Sequence, residues 1–129
     1  MADILIVDDS AWARALVRQA LEAAGVEGQR LREAADGASA LEAIAVAPPA
    51  LLVLDLVLPG LSGEDVLRRA REAGYRGAAV VLSADIQDAS REALEALGIE
   101  AYLVKPVQGE PAERLAAIAR EVLGRAADG

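Results

Sequence analysis

Four apolar runs of strand length each end on, or beside, a polar side chain: ILIVDDS at 4–10, LLVLDLVLPG at 51–60, VVLSAD at 80–85 and YLVKP at 102–106. Between them lie alanine- and charge-rich stretches whose apolar residues recur at helical spacing. This alternation is the pattern of βαβ units and a parallel sheet covered on both faces, because a continuous apolar run such as Ile4–Val7 has no polar side to turn to water. Parallel strands point one way. Their polar ends therefore meet at a single edge of the sheet, the edge where open α/β sheets bind ligands.

From Ala11 to Ala24, residues Ala13, Leu16, Val17, Ala20, Leu21 and Ala24 repeat at helical spacing, and Gly25 supplies the stop. Arg30–Ala34 has the mixed polarity of an edge strand. A helix follows Gly37 to about Ala45, with Leu41 and Ile44 inward, and Pro48-Pro49 bars its continuation. Leu51–Leu54 is the next buried strand; Ser62 caps a helix to about Ala73, with Asp65 in the capping-box position. Ala78–Leu82 reads as a strand, Asp88–Leu97 as a helix ended by Gly98, Ala101–Val104 as a strand, and Glu110–Leu123 as a last amphipathic helix before a short frayed tail. The expected fold is a doubly wound (βα)5 α/β domain spanning residues 1–129, its core at about 3–124, with helices on both faces of a five-stranded parallel sheet.

Composition narrows the chemistry. A length of 129 residues fits one domain on the usual scale of roughly 100–200. No cysteine is present, which excludes a disulfide framework and a thiolate metal site. No histidine is present either, which removes histidine general-base catalysis and with it a serine-hydrolase triad or a zinc enzyme. The formal net charge of −8 argues against a nucleic-acid surface and for proteins or cations as partners. The first apolar run is shorter than a signal-peptide core of roughly 7–15 residues, and no run approaches the ~18 residues of a membrane span, so the expected location is cytoplasmic.

Asp8 and Asp9 leave the first strand and Asp55 leaves the third, strands that are neighbours at the switch point of the common doubly wound order. Carboxylates ~5 Å apart in an effective dielectric near ~20 repel by about 3 kcal/mol per pair, so such a cluster calls for a cation. All-oxygen ligands point to a hard ion, Mg²⁺ or Mn²⁺. Lys105 and Ser83 add an ammonium and a hydroxyl, the groups that position a phosphoryl oxygen. One carboxylate of such a set can act as nucleophile, and Asp55, from the centre of the sheet, is the best candidate. Singly, each residue has a plain structural role as cap, turn residue or surface charge. Four of them at the ends of four of five strands are better explained by one site.

From Ile4 to about Leu123 the chain resembles the receiver domains of response regulators and is similar to single-domain, chemotaxis-type members. The resemblance implies a flavodoxin-like fold, Mg²⁺ held by Asp8, Asp9, Asp55 and the backbone carbonyl of Val57, and Asp55 as phosphoacceptor. It implies Ser83, followed by Ala84, as the hydroxyl that senses phosphorylation, and Lys105 before a typically cis Pro106 as the phosphate-binding ammonium. It further implies that Ser83 moves toward the phosphoryl group, that Tyr102 then favours an inward rotamer, and that the face of the fourth helix, fifth strand and fifth helix changes. Val57 and Asp85 stand where side chains tune the phosphoaspartate lifetime. A serine in place of the commoner threonine at Ser83, Leu58 in place of a frequent methionine and Val107 in place of an aromatic depart from the pattern without removing a functional group.

The implied partners are a histidine kinase or phosphotransfer protein upstream and a protein target downstream, with no nucleic acid and no membrane, for a monomer or weak dimer. A relay intermediate or a receiver cut from a longer regulator fits the same residues. An aspartyl-phosphate phosphatase is disfavoured, since Val57 occupies the place of the second aspartate of haloacid-dehalogenase-like enzymes, and the chain is read as a phosphoacceptor rather than an enzyme. Neither GxxxxGK[ST] nor GxGxxG is present to bind a nucleotide, and an interaction domain that is never phosphorylated would leave the polar set without a purpose. Trp12 reads as an exposed aromatic or a shield over the pocket, and Arg14 as surface charge.

Overall fold

The computed structural model describes residues 3–84 and 91–128. Five strands, β1 (Ile4–Val7), β2 (Leu31–Ala34), β3 (Leu51–Asp55), β4 (Ala78–Ser83) and β5 (Ala101–Val104), alternate with helices α1 (Ala11–Ala23), α2 (Gly37–Val46), α3 (Gly63–Glu72), α4 (Arg91–Ala96) and α5 (Glu110–Asp128). All pairings are parallel and the strand order is β2-β1-β3-β4-β5, so β1 and β3 lie side by side where the order reverses.

Strand periodicity divides the core in two. Ile4, Ile6, Leu51 and Val53 face α1 and α5 through Val17, Leu21, Leu115 and Ala119. Leu5, Val7, Leu52 and Leu54 face the other side, against Ile44, Val66, Leu67 and Leu94. Both sets are buried, which is why these strands carry no alternation of polarity. Each such side chain contributes roughly 1.5–3 kcal/mol relative to exposure. The mixed strand β2 lies at the edge, where a half-exposed side is tolerated.

Boundaries differ from the sequence expectation where backbone bonding extends an element. β3 and β4 each run one residue further, to Asp55 and Ser83, because the Asp55↔Leu82 pairing and a Leu56 N–H to Leu82 carbonyl bond of 3.0 Å continue the ladder. A 3-10 turn at Gly28–Arg30 takes up the first residue expected of β2. α5 continues past Leu123 to Asp128, with Val122 packed in the core and Arg125 paired to Glu100 at 3.3 Å. Of the helix expected at Asp88–Leu97, the described part is Arg91–Ala96, and residues 85–90 lie outside the described residues.

Caps fix where helices begin at the site. The Ser10 hydroxyl accepts from the Ala13 N–H at 3.2 Å and starts α1 directly after the acidic pair. Ser62 and Asp65 form the reciprocal capping box of α3. The next residue must be glycine: a Cβ at Gly63 would run into the carbonyl of Asp55, so only a bare backbone lets α3 pass this close to the end of β3.

Candidate functional site

Asp8 emerges from β1 with its backbone N–H bonded to the Ala34 carbonyl at 3.1 Å. Its carboxylate is fully buried. Oδ1 accepts from the Ser10 N–H at 2.9 Å and Oδ2 from Lys105 Nζ at 2.8 Å. Asp55, only 3% exposed, accepts from the Val57 N–H at 3.2 Å through Oδ1 and from the same Lys105 Nζ at 3.0 Å through Oδ2. Asp9 is exposed, yet Asp8, Asp9 and Asp55 each offer a carboxylate oxygen within 4.8 Å of the others. Among the described residues of the cluster, carboxylates therefore outnumber the Lys105 ammonium, which pairs with Asp8 and Asp55 and leaves Asp9 without a share of it.

The electrostatics follow from that imbalance. Burial pushes the Asp55 carboxyl above its ordinary range, with the Asp8 charge adding to the effect and Lys105 and the Val57 N–H opposing it. Burial alone would lower Lys105, but its hydrogen bonds to Asp8 and Asp55 outweigh that and hold the ammonium above its usual value. The oxygen-only donors and, among the described residues of the cluster, the excess of carboxylates over the Lys105 ammonium fit a hard divalent ion.

Ser83 is buried at the end of β4, one residue past the partner of Asp55, and its carbonyl accepts the Lys105 N–H at 2.8 Å. The Lys105–Pro106 peptide is cis. Val57, two residues after Asp55, is 74% exposed. Tyr102 of β5 is buried in the core facing α2, α3 and α4, and the Arg91 guanidinium of α4 lies 4.8 Å from its ring centroid. Asp85 lies outside the described residues.

The pattern from Ile4 onward is matched by the family model for the response regulator receiver domain over residues 4–119. The chain belongs to that family. Among curated proteins, the receiver is 38% identical over 125 residues to protein-glutamate methylesterase/protein-glutamine glutaminase 5 of Myxococcus xanthus (strain DK1622), an alignment covering 95% of this chain and 35% of that protein. It is 41% identical over 95 residues to transcriptional regulatory protein QseB of Escherichia coli O157:H7, covering 71% of this chain and 42% of the relative. The chain thus spans less than half the length of these relatives. Among solved structures, the receiver domain of NtrX from Brucella abortus superposes with a TM-score of 0.79 at 31% identity, covering 95% of this chain and 98% of that one. A CheY-like receiver domain protein from Methanospirillum hungatei JF-1 does so at 0.81 and 25%, covering 100% and 99%. No helix among the described residues is long and apolar enough to cross a membrane.

Two residues beside the receiver site bear on the sequence reading, Trp12 agreeing with its expected exposure and Arg14 departing from it. Trp12 is 63% exposed, and with Leu16, Pro106 and Val107 it lines an apolar groove of about 390 Å³ beside Lys105. Arg14 is not free surface charge. Its Nη1 donates to the Asp8 carbonyl at 2.6 Å and its Nε to Glu33 Oε1 at 2.8 Å, with the side chain only 18% exposed. The spacing that puts Arg14 one helical turn past the acidic pair is visible in the sequence, but its partner Glu33 becomes visible only with the Ile6↔Glu33 register.

Proposed function

We propose that this receiver is a phosphoacceptor of two-component signalling and that Asp55 carries the phosphoryl group. The observation that supports this most directly is the single Lys105 ammonium bridging two buried carboxylates from neighbouring strands beside a third. An Asp55 carboxylate oxygen attacks the phosphorus of a phosphohistidine on a kinase or phosphotransfer protein, or of a small acyl phosphate. The P–O bond to Asp55 forms as the bond to the leaving imidazole or carboxylate breaks, and an imidazole leaving group takes its proton from solvent.

Asp8, Asp9, Asp55 and the Val57 carbonyl would hold Mg²⁺, whose chemistry here is to offset charge on the phosphoryl oxygens. Lys105 pairs with one phosphoryl oxygen and the Ser83 hydroxyl donates to another. Phosphorylation adds about −1.5 to −2 charge to a pocket already rich in carboxylates, and the movement of Ser83 toward it is read out by Tyr102 on the face of α4, β5 and α5. Val57 and Asp85 set how fast water removes the phosphoryl group.

In this reading the chain is one cytoplasmic receiver domain, monomeric or weakly dimeric, that acts by binding a protein target rather than nucleic acid or a membrane and turns over no external substrate. Service as the receiver of a longer regulator is supported by the fraction of its curated relatives that it spans, and a relay role fits the same residues. Incubation with acetyl phosphate and MgCl2, followed by intact-mass measurement, should add one phosphate to the wild type and none to Asp55→Asn. An unmodified wild type, or a phosphate that survives Asp55→Asn, overturns the assignment. Ser83→Ala should accept phosphate yet lose the coupling between phosphorylation and target affinity.

A further inference from the structure

Asp9 is the exposed member of the acidic cluster, so its position rests on the backbone that carries it. The oxygen of the Asp8–Asp9 peptide is the Asp8 carbonyl, and that oxygen is held by Arg14 Nη1 at 2.6 Å. Arg14 is in turn aimed by Glu33 on the edge strand, Nε to Oε1 at 2.8 Å. The other oxygen of Glu33 faces Arg18 Nε at 3.6 Å, and Arg18 also reaches the Gly28 carbonyl at 3.4 Å, so the carboxylate is held from both sides. These contacts tie α1, the end of β1 and β2 to one peptide unit.

We infer that Arg14, oriented by Glu33, is a positioning residue that sets the Asp8–Asp9 peptide and thereby the affinity of the acidic cluster for its divalent ion. The inference rests on the metal-site reading above and extends it to residues that touch neither metal nor phosphate. Groups that orient the groups bound to a metal are typically worth about 10–100-fold in affinity.

The sign of the effect separates this role from simple charge. Arg14 is a cation beside an acidic pocket, so by Coulomb's law alone its removal strengthens binding of another cation. Positioning requires the reverse. The fork geometry of a guanidinium serves the Asp8 carbonyl and Glu33 together, which a lysine ammonium cannot reproduce on the same two partners.

The test is isothermal titration calorimetry of the intact chain with MgCl2 for wild type, Arg14→Ala, Arg14→Lys, Glu33→Gln and the Arg14→Ala/Glu33→Gln double variant. The melting temperature in EDTA and the phosphate yield from acetyl phosphate are measured alongside. Arg14→Ala and Arg14→Lys should each bind Mg²⁺ about tenfold more weakly, and Glu33→Gln a few-fold more weakly. The double variant should be no weaker than Arg14→Ala, and saturating Mg²⁺ should restore full phosphorylation in all. Unchanged or tighter binding by Arg14→Ala, wild-type affinity in Arg14→Lys, or multiplicative losses in the double variant overturns the inference. If Arg14→Ala does not fold, the charge-conserving Arg14→Lys decides the same question, since its weaker binding has no Coulombic explanation. A folded wild type that gives no binding heat and no Mg²⁺-dependent phosphorylation removes the metal-site reading itself, a result distinct from a wild type that binds Mg²⁺ with variants that match it.

Discussion

At the end of the sheet where the strands begin, Arg71 of α3 donates to the carbonyl oxygens of Leu97, Tyr75, Gly77 and Gly98 at 2.7–3.0 Å and lies 5.4 Å from the ring centroid of Tyr75. The Tyr75 hydroxyl donates to the Pro49 carbonyl at 2.8 Å. At the opposite end, two buried carboxylates share the Lys105 ammonium, and an exposed third, Asp9, lies beside them. One end matches donors to acceptors and joins the chain leading into three strands. The other keeps like charges together. Paired polarity serves stability, and the unbalanced end is held in place by the rest of the fold so that it can act on a ligand.

Breaking the balanced end should cost most. Arg71→Ala leaves carbonyls before β4 and β5 without their charged donor and should lower unfolding free energy by about 3 kcal/mol, read from urea denaturation, with phosphorylation at saturating Mg²⁺ preserved in the folded fraction. A second probe is pH. Burial raises the Tyr75 phenol from 10.0 to about 12, so the neutral form is favoured by folding. Its contribution is complete below the unfolded value and is lost as pH rises through the folded one, a decrease of about 2–3 kcal/mol between about pH 10 and about pH 12. Since Lys105 also sits above its usual value, the Tyr75 share is the difference between wild type and Tyr75→Phe over that interval; equal slopes would show that the phenol contributes nothing.

At the unbalanced end the sign should reverse. Asp55 is held above its unfolded value by burial and by Asp8, so its ionisation opposes folding. That contribution is favourable below the unfolded pKa and disappears as pH rises through the folded one. Asp55→Asn should therefore be more stable than the wild type at pH 7 in EDTA, a gain that vanishes as pH falls below the ordinary carboxylate range and shrinks when MgCl2 stabilises the wild type. A destabilised Asp55→Asn at pH 7 without metal would mean that the ion pair with Lys105 outweighs the repulsion.

The residues of the acidic cluster and its lysine were legible because each follows an apolar run, and a parallel sheet converts that linear fact into shared location. Asp8, Asp9, Asp55 and Lys105 come together for this reason alone. The supporting residues left weaker traces. Arg71 in the last turn of a charged helix looks like any solvated arginine, since its acceptors are backbone carbonyls up to 27 residues away. Arg14 depends on a strand register, and Gly63 on how closely two backbones approach. Past Leu123, α5 brings Arg125 to Glu100 just before β5, a pairing that no local period encodes. Side chains that react are marked by their own sequence neighbours, whereas those that hold them are marked by partners distant along the chain.

Lys105 stands 97 residues from Asp8 and 50 from Asp55. During synthesis the two acids emerge first and the ammonium that reconciles them arrives only after all five strands have been made. Until then their burial against each other is opposed by repulsion, so a nascent or truncated polypeptide lacking β5 is deprived of the counterion on which the pocket depends. The same contact that tunes the finished site also ties its readiness to completion of the sheet.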